Sequence, residues 1–368
     1  MKALGIINPL LEAIEYFRYK ANGVSTEKVI NRLLAQREIE RGELERILRP
    51  ALELEACLDR YIVTPPNCEK YFSDFERAGG AGVIKSCCAM LTMLFSDCPD
   101  YTDMETLRKG LLSRSREEIR TNFIKELGSH IVVDDTEDSA SQGVDYFLRF
   151  VEDMPLSEHS KWQIICAYNR FEEYVNEISA VLEPAVELII EKKHLYEPYL
   201  EGFDREYSDV SDILDNIKNL IGTHFIIEDH GLVYPKILAN SEFTWIYRKP
   251  EEGGPVVYIG IGVRPMFEVP YKVQATVNCE EVLKVLGDRN RLAIMRMLKS
   301  RSAYGQEIAD MQGLSPNTIS HHMNKLQACN LTQSTVEGSK VYYASNQKTV
   351  IALIEQLKDM LVEETRND

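Results

Sequence analysis

Residues 314–326 read LSPNTISHHMNKL, and this stretch decides the fold of the C-terminal quarter of the chain. Ser315 can cap a helix, and Pro316 suits the first helical position, where its missing N–H is not needed. Apolar residues then recur at spacings of four and three: Ile319, Met323 and Leu326. The remaining positions of this helix are polar and include no acidic residue. They therefore predict a surface that hydrogen-bonds bases and phosphates in a major groove of DNA.

The sequence on both sides of this helix completes a small module. Two helices within residues 280–299, separated by Gly287 and Asp288, and a third helix at about 303–311 lead to a tight turn at Gly313. After the helix, two strands are predicted around a short polar loop, followed by an amphipathic helix; the ranges are 331–336, 341–345 and 347 to about 364. The loop between the strands is a wing, and the last helix is more apolar than so small a module needs, which predicts a partner subunit.

Three motifs in this order resemble those of the ArsR-type winged-helix repressors: LGDRNRLAIMRML at 286–298, LSPNTISHHMNKL at 314–326 and EGSKVYY at 337–343. The resemblance covers about a quarter of the chain. It implies a homodimer, joined through the first and last helices of the module, that binds a roughly palindromic operator in double-stranded DNA. It also implies a recognition helix from Ser315 and a wing around Gly338. The candidate DNA-binding residues are Ser315, Asn317, Thr318, Ser320, His321, Asn324, Lys325, Gly338, Ser339 and Lys340.

The metal sensors of this family carry Cys-x-Cys in the helix before the recognition helix, or His and acidic ligands in the last helix. Here AYGQ occupies residues 303–306, and no His or Cys follows Cys329. We therefore expect neither a metal nor another cofactor in the module. The adjacent His321 and His322 are expected to contact DNA or to pack, since neighbouring helical residues point in different directions.

The charge is unevenly distributed along the chain. The net charge is −16, from 42 basic and 58 acidic residues. Residues 279–368 hold 11 of each, so residues 1–278 hold 31 basic and 47 acidic residues and carry the whole excess. Between Lys284 and Lys348 the balance is 9 basic to 4 acidic residues, a local charge of +5. An acidic body with a small basic module is what a DNA-binding head on a non-DNA-binding body requires.

The predicted fold class is mainly α, with a large helical N-terminal domain, a small antiparallel β segment and a C-terminal winged helix-turn-helix. Apolar residues at helical spacing predict helices that include 43–61, 83–95, 105–113, 117–127, 141–152 and a long one over 157–194, capped by Ser157. Short β-branched and aromatic runs follow Gly222, at 224–227, 232–238, 243–247 and 256–261. The predicted domains are 1–221, 222–264, a connector at 265–278, and 279–368 for DNA binding and dimerisation.

Other features of the body have two interpretations. The cysteines at 57, 68, 87, 88 and 98 could form a thiol sensor of oxidant or soft metal, but packing as small buried residues is favoured. The aromatic residues from Tyr168 to Tyr207 are interpreted as core in preference to a ligand pocket. Gly260-Ile-Gly262 is interpreted as strand-end geometry, because the rest of a dinucleotide fingerprint is missing.

The expected function is a cytoplasmic, DNA-binding transcription regulator, a repressor that responds to a small-molecule effector or partner through its N-terminal domain. No signal peptide or membrane span is expected, and no catalytic motif is found, so we do not expect an enzyme. Two alternatives stay open: the helical body is an unrecognised enzyme, or the winged helix serves protein–protein interaction.

Overall fold

The computed structural model describes residues 2–80, 82–94, 103–128, 143–207, 231–246, 254, 256–263, 269, 279–337 and 340–361. They divide into two compact units. The described residues of the first unit come from 1–32, 40–210 and 226–266, and those of the second come from 33–39 and 267–368. In the described part of the chain, no helix is both long enough and apolar enough to cross a membrane.

The N-terminal part of the chain is mostly helical, as predicted. Its helices are α1 (Pro9–Ala21), α2 (Thr26–Gln36), α3 (Arg41–Tyr61), α4 (Cys68–Phe72), α5 (Cys88–Met93), α6 (Met104–Leu112), α7 (Arg116–Gly128), α8 (Val144–Asp153), α9 (Glu158–Asn169), α10 (Phe171–Glu191), α11 (Glu197–Leu200) and α12 (Phe203–Glu206). Polar caps begin several of them. Ser157 Oγ accepts a hydrogen bond from Ser160 N at 3.2 Å, so the predicted cap of α9 is confirmed.

The long helix predicted over 157–194 is interrupted, because α9 ends at Asn169 and α10 begins at Phe171. Arg116, on α7, donates from its guanidinium to the carbonyl oxygens of Tyr168 at 2.7 Å and Asn169 at 3.3 Å. These carbonyls would otherwise accept intrahelical bonds from the next turn. The break thus coincides with a contact to a residue that is distant in sequence.

The predicted helix over 83–95 is also only partly present. It begins as strand β3 (Val83–Ile84), which pairs antiparallel with β2 (Phe75–Glu76), and only α5 is helical.

The β segment is a mixed sheet, and the prediction of a purely antiparallel one was wrong. Within the described residues, the strands β1 (Lys2–Ala3), β4 (Leu232–Lys236), β5 (Phe243–Ile246) and β6 (Val256–Gly260) lie in the order β1-β4-β6-β5. β4 runs parallel to both β1 and β6, whereas β5 and β6 form the predicted antiparallel pair. β6 is buried along its whole length, as is typical of parallel strands that are covered on both faces. The strand predicted at 224–227 lies outside the described residues.

The helices and this sheet share one hydrophobic core, which includes Phe17 and Leu54 as well as Tyr258. The interpretation of the aromatic residues as core is confirmed for Tyr168, Phe171, Tyr174, Tyr196, Phe203 and Tyr207, which are buried, while Tyr199 is exposed. Gly260 ends β6 where a Cβ atom would lie 2.3 Å from the carbonyl oxygen of Asn240. Only a glycine fits so close to another backbone, and the interpretation as strand-end geometry agrees with this packing.

A buried ion-pair network joins α1 to the carboxyl end of β4. Glu15 is contacted by Arg18 Nε at 2.6 Å and by Lys236 Nζ at 2.8 Å. Arg18 also bonds Asp74 at 2.9 Å and contacts Glu242. Burial by itself would raise the pKa of Glu15, but Arg18 and Lys236 hold it below its usual value. The network therefore keeps these buried charges paired.

Glu12, one turn before Glu15, is buried against backbone amides. Its two carboxylate oxygens accept hydrogen bonds from Ile237 N at 2.6 Å and Leu238 N at 2.8 Å. Burial raises the pKa of Glu12 to about 7, because the loss of solvation outweighs these two hydrogen bonds and the nearby Lys236.

The second unit contains the predicted C-terminal module. Its elements are α13 (Cys279–Leu286), α14 (Arg289–Leu298), β7 (Ala303–Tyr304), α15 (Gly305–Gln312), α16 (Pro316–Ala328), β8 (Thr332–Glu337), β9 (Lys340–Ser345) and α17 (Gln347–Leu361). The strands lie in the order β7-β9-β8, and each pair is antiparallel. β7 replaces the predicted start of the third helix. The order of elements is that of a winged helix-turn-helix.

Candidate nucleic-acid interface

The turn before α16 is built by local signals. Gly313 adopts the left-handed conformation, with φ of 65°, and ends α15. Ser315 Oγ then accepts a hydrogen bond from Thr318 N at 3.2 Å, and Pro316 occupies the first turn. The two hydroxyl groups of Ser315 and Thr318 also lie 2.8 Å apart. The predicted cap is thus confirmed, and it fixes where the exposed face of α16 begins.

The apolar face of α16 anchors the helix to the core of the module. Ile319, Met323 and Leu326 are at most 1% exposed, and they pack among Ile294 of α14 and Ile308 of α15. Burial of three such side chains stabilises the helix position by several kcal/mol, roughly 1.5–3 for each side chain. The polar face is therefore held at a fixed orientation.

The two histidines of α16 point in different directions. His321 is exposed, whereas His322 is buried with its Nδ1 3.8 Å from Asp288 Oδ1. Asp288 caps α14, because the same oxygen accepts hydrogen bonds from Asn290 N and Arg291 N at 3.0 Å. Burial lowers the pKa of His322, so the ring is neutral near pH 7. His322 is thus a packing residue that fits α16 against the start of α14.

The far end of α16 is tied to the hairpin. Gln327 Nε2 donates to Ser334 Oγ on β8 at 3.3 Å. Asn330 takes a positive φ of 53° after the helix, and its Oδ1 accepts a hydrogen bond from Asn346 Nδ2 at 3.2 Å. The hairpin then folds back with Glu337 opposite Lys340. These contacts set the angle between α16 and the strands that carry the wing.

Most of the predicted DNA-binding residues of α16 lie together on its exposed side. Ser315, Thr318, Ser320, His321 and Asn324 are exposed, and Lys325 is half-buried. The other four predicted residues have no described side chain: Asn317 and Lys340 lie on described backbone only, and the wing residues Gly338 and Ser339 lie outside the described residues. The roles of all these residues in DNA binding stay predictions.

Sequence reasoning did not select five exposed cations between residues 284 and 301 of the same unit: Lys284, Arg289, Arg296, Lys299 and Arg301. The local charge of +5 was the signal that could have found them.

In the described part of the chain, the His, Cys, Asp and Glu side chains form no group of three that could hold a metal ion.

Apolar side chains of α13 and α17 remain in contact with solvent. Leu283 is 45% exposed on α13, and Ile351, Ile354 and Leu361 are 54%, 60% and 77% exposed on α17. Leu353 of α17, in contrast, is buried in the module core. α17 therefore has one face that the module covers and another that it leaves open.

Three cysteines of the body are buried and unsuited to reactivity. Cys68, Cys87 and Cys88 are buried. Burial raises the pKa of Cys68 to about 11 and that of Cys87 to about 12, so their thiolates are scarce at neutral pH. Cys57 is half-buried, and Cys98 lies outside the described residues. Packing accounts for the three buried cysteines.

Comparison with known proteins finds a matching bacterial family and relatives that each cover about a quarter of the chain. The family described as "Bacterial regulatory protein, arsR family" matches residues 288–334. The nodulation protein NolR of Rhizobium meliloti is 30% identical over 84 residues, which cover 23% of this chain and 68% of that protein.

Three solved structures are each similar to this chain over less than a quarter of its length. An ArsR-like transcriptional regulator from Rhodococcus sp. RHA1 is 24% identical, with a TM-score of 0.22, over 22% of this chain and 77% of that one. NolR from Sinorhizobium fredii is 25% identical, with a TM-score of 0.20, over 23% and 85%. Reduced HlyU from Vibrio cholerae N16961 is 24% identical, with a TM-score of 0.18, over 23% and 87%.

Proposed function

The chain belongs, through its C-terminal module, to the ArsR family of bacterial regulatory proteins, and we propose that it is a transcriptional repressor that binds operator DNA with α16. The observation that carries the proposal is the two-sided character of this helix. Its apolar side is buried, while its exposed side is polar and free of acidic residues. Such a face can donate to base edges and phosphates without repelling the DNA.

Fluorescence anisotropy with the DNA upstream of the chain's own gene tests this proposal. Lys325→Ala should weaken binding to all sequences and reduce the slope of log K against log salt by about one, since one phosphate contact is lost. Asn317→Ala should instead relax the preference at one base position, at a cost of about 1–3 kcal/mol. Arg49→Ala is the control, because this exposed cation lies on α3 of the first unit, outside the module that is proposed to bind DNA. Unchanged binding in both α16 variants would contradict the assignment of α16.

The homodimer is a second part of the proposal, and it is supported by the exposed apolar side chains of α13 and α17. These two helices contact each other within one chain. A second copy would cover Leu283, Ile351 and Ile354, which a monomer leaves in water. A two-fold dimer would also present two copies of α16 to the two halves of a palindromic operator.

The signal is proposed to enter through the acidic N-terminal body, where a small molecule or a partner would change the affinity for DNA. The excess of acidic residues over residues 1–278 argues that this part does not itself bind DNA. We propose no enzymatic activity for the body, and action in the cytoplasm follows from the DNA partner. Transcript levels in a deletion strain test the repressor role: the controlled transcript should rise, and a fall would indicate an activator.

A further inference from the structure

A groove of about 530 Å³ opens in the first unit, between α4 with the segment that leads into β2 on one side and α9 with the start of α10 on the other. A volume of this size is within the range of sites for small organic molecules. Its walls include Glu69, Glu76, Trp162 and Tyr174. The winged helix-turn-helix makes no use of it, since all these residues belong to the body.

Trp162 gives the groove an aromatic wall that faces solvent. Its side chain is 64% exposed on α9, although tryptophan is usually one of the more buried residue types. The ring of Tyr174 also lines the groove, and the Lys70 ammonium lies 4.8 Å from the centre of that ring. The ring of Trp162 is thus accessible to a ligand, whereas the ring of Tyr174 is already in contact with the Lys70 ammonium.

The cations of the groove already have acidic partners. Lys70 Nζ lies 3.2 Å from Glu177 Oε2, and Arg170 Nε donates to Glu173 Oε2 at 2.7 Å. Neither acidic partner lines the groove. Each of the two cations therefore already has an ion-pair partner outside the groove.

Two carboxylates of the groove have no such partner. Within the residues that the structure describes, the carboxylates of Glu69 and Glu76 make no ion pair and accept no hydrogen bond. Asp74, the third acidic side chain of the lining, is bonded by Arg18. The unpaired charge of the groove is thus negative, and its two carboxylates line the same groove as the exposed Trp162.

We propose that this groove binds an organic cation, an amine or quaternary ammonium attached to an aromatic or apolar group. Glu69 and Glu76 would balance its charge, and the face of Trp162 would hold the cationic group or the apolar part next to it. The net charge of −16 over residues 1–278 raises the local concentration of cations. The inference rests on the proposed function in one respect: the organic cation is proposed to be the effector of the regulator.

Calorimetric titration of the full chain with benzyltrimethylammonium tests the site directly. We expect saturable binding with a Kd on the order of 1 mM, as suits a probe of so few atoms. The anion phenylacetate, of similar size, should not saturate. The double variant Glu69→Gln/Glu76→Gln should raise the Kd about tenfold, and Trp162→Leu should raise it about threefold. The matched control Glu183→Gln, an exposed residue of α10 outside the groove, should leave the Kd unchanged.

Quenching of tryptophan fluorescence by the probe gives a second measurement, because the chain has only two tryptophans and Trp162 is one of them. Absence of saturation up to roughly 10 mM, a Kd that is the same in the double variant, or equal binding of phenylacetate would overturn the site.

DNA binding is measured separately, by anisotropy with and without the probe. A change in DNA affinity that Glu69→Gln/Glu76→Gln abolishes supports the effector role. Probe binding that leaves the DNA affinity unchanged overturns that role and supports the groove as a binding site alone. A chain that binds the probe but no DNA overturns the proposed function and leaves the groove supported.

Discussion

The buried carboxyl of Glu12 should make the stability of the first unit fall as the pH rises. Its pKa is about 7 in the folded protein, against an ordinary value of 4.5, so the folded state holds the proton more tightly than the unfolded state. The stabilisation is complete below pH 4.5 and is lost as the pH rises through about 7. At roughly 1.4 kcal/mol for each pH unit, this interval corresponds to a loss of about 3 kcal/mol in the free energy of unfolding.

The substitution Glu12→Gln removes this titration and tests the reasoning by difference. Urea unfolding followed by tryptophan fluorescence reports on the first unit, because Trp162 and Trp245 both lie in it. The wild-type stability relative to that of Glu12→Gln should fall by about 3 kcal/mol between pH 4.5 and pH 7.5. The amide will also lose one of the two backbone hydrogen bonds, but that cost does not depend on pH. The exposed Glu53→Gln serves as the control. A difference between Glu12→Gln and the wild type that is the same at both pH values would refute the buried protonation.

Three further predictions concern the C-terminal module. Ser315→Ala removes the cap of α16 and should lower the free energy of unfolding of the module by about 1 kcal/mol, whereas Ser315→Gly should cost only a few tenths; equal losses from chemical denaturation would contradict the capping role. Leu353→Ala should cost about 2–4 kcal/mol because it leaves a cavity in the module core. Ile354→Asp, at a side chain that is 60% exposed, should shift sedimentation from the proposed dimer to monomer; a dimer that persists would exclude this face from the interface.

The features that were predicted correctly from the sequence are those determined by residues close together in the chain. The cap at Ser315, the left-handed Gly313 and the apolar spacing of α16 are local, and each was found as predicted. The hairpin of β8 and β9 was found for the same reason, since two β-rich runs flank a short polar loop.

The features that it missed depend on contacts between distant residues. No local pattern connects Arg116 to the carbonyl oxygens at the end of α9, where the helix is interrupted. The packing of His322 against Asp288 is likewise a property of the folded module. The continuous apolar run VVYI at 256–259 is typical of a buried parallel strand and was a signal for the parallel pairing of β4 with β6. The strand β1 has only two residues, which is too short to recognise from the sequence.

The pairing of β1 with β4 has a consequence for the order in which the protein folds during synthesis. Lys2 and Ala3 lie opposite Leu232 and Val233, so more than two hundred residues are synthesised between β1 and its partner strand β4. Glu12 waits for amide donors that are made later still. Contacts of such long sequence separation form slowly, and the exposed intermediates are prone to aggregation. A nascent chain of this protein therefore has to keep its helices from associating wrongly until the sheet is complete, and its DNA-binding module emerges only afterwards.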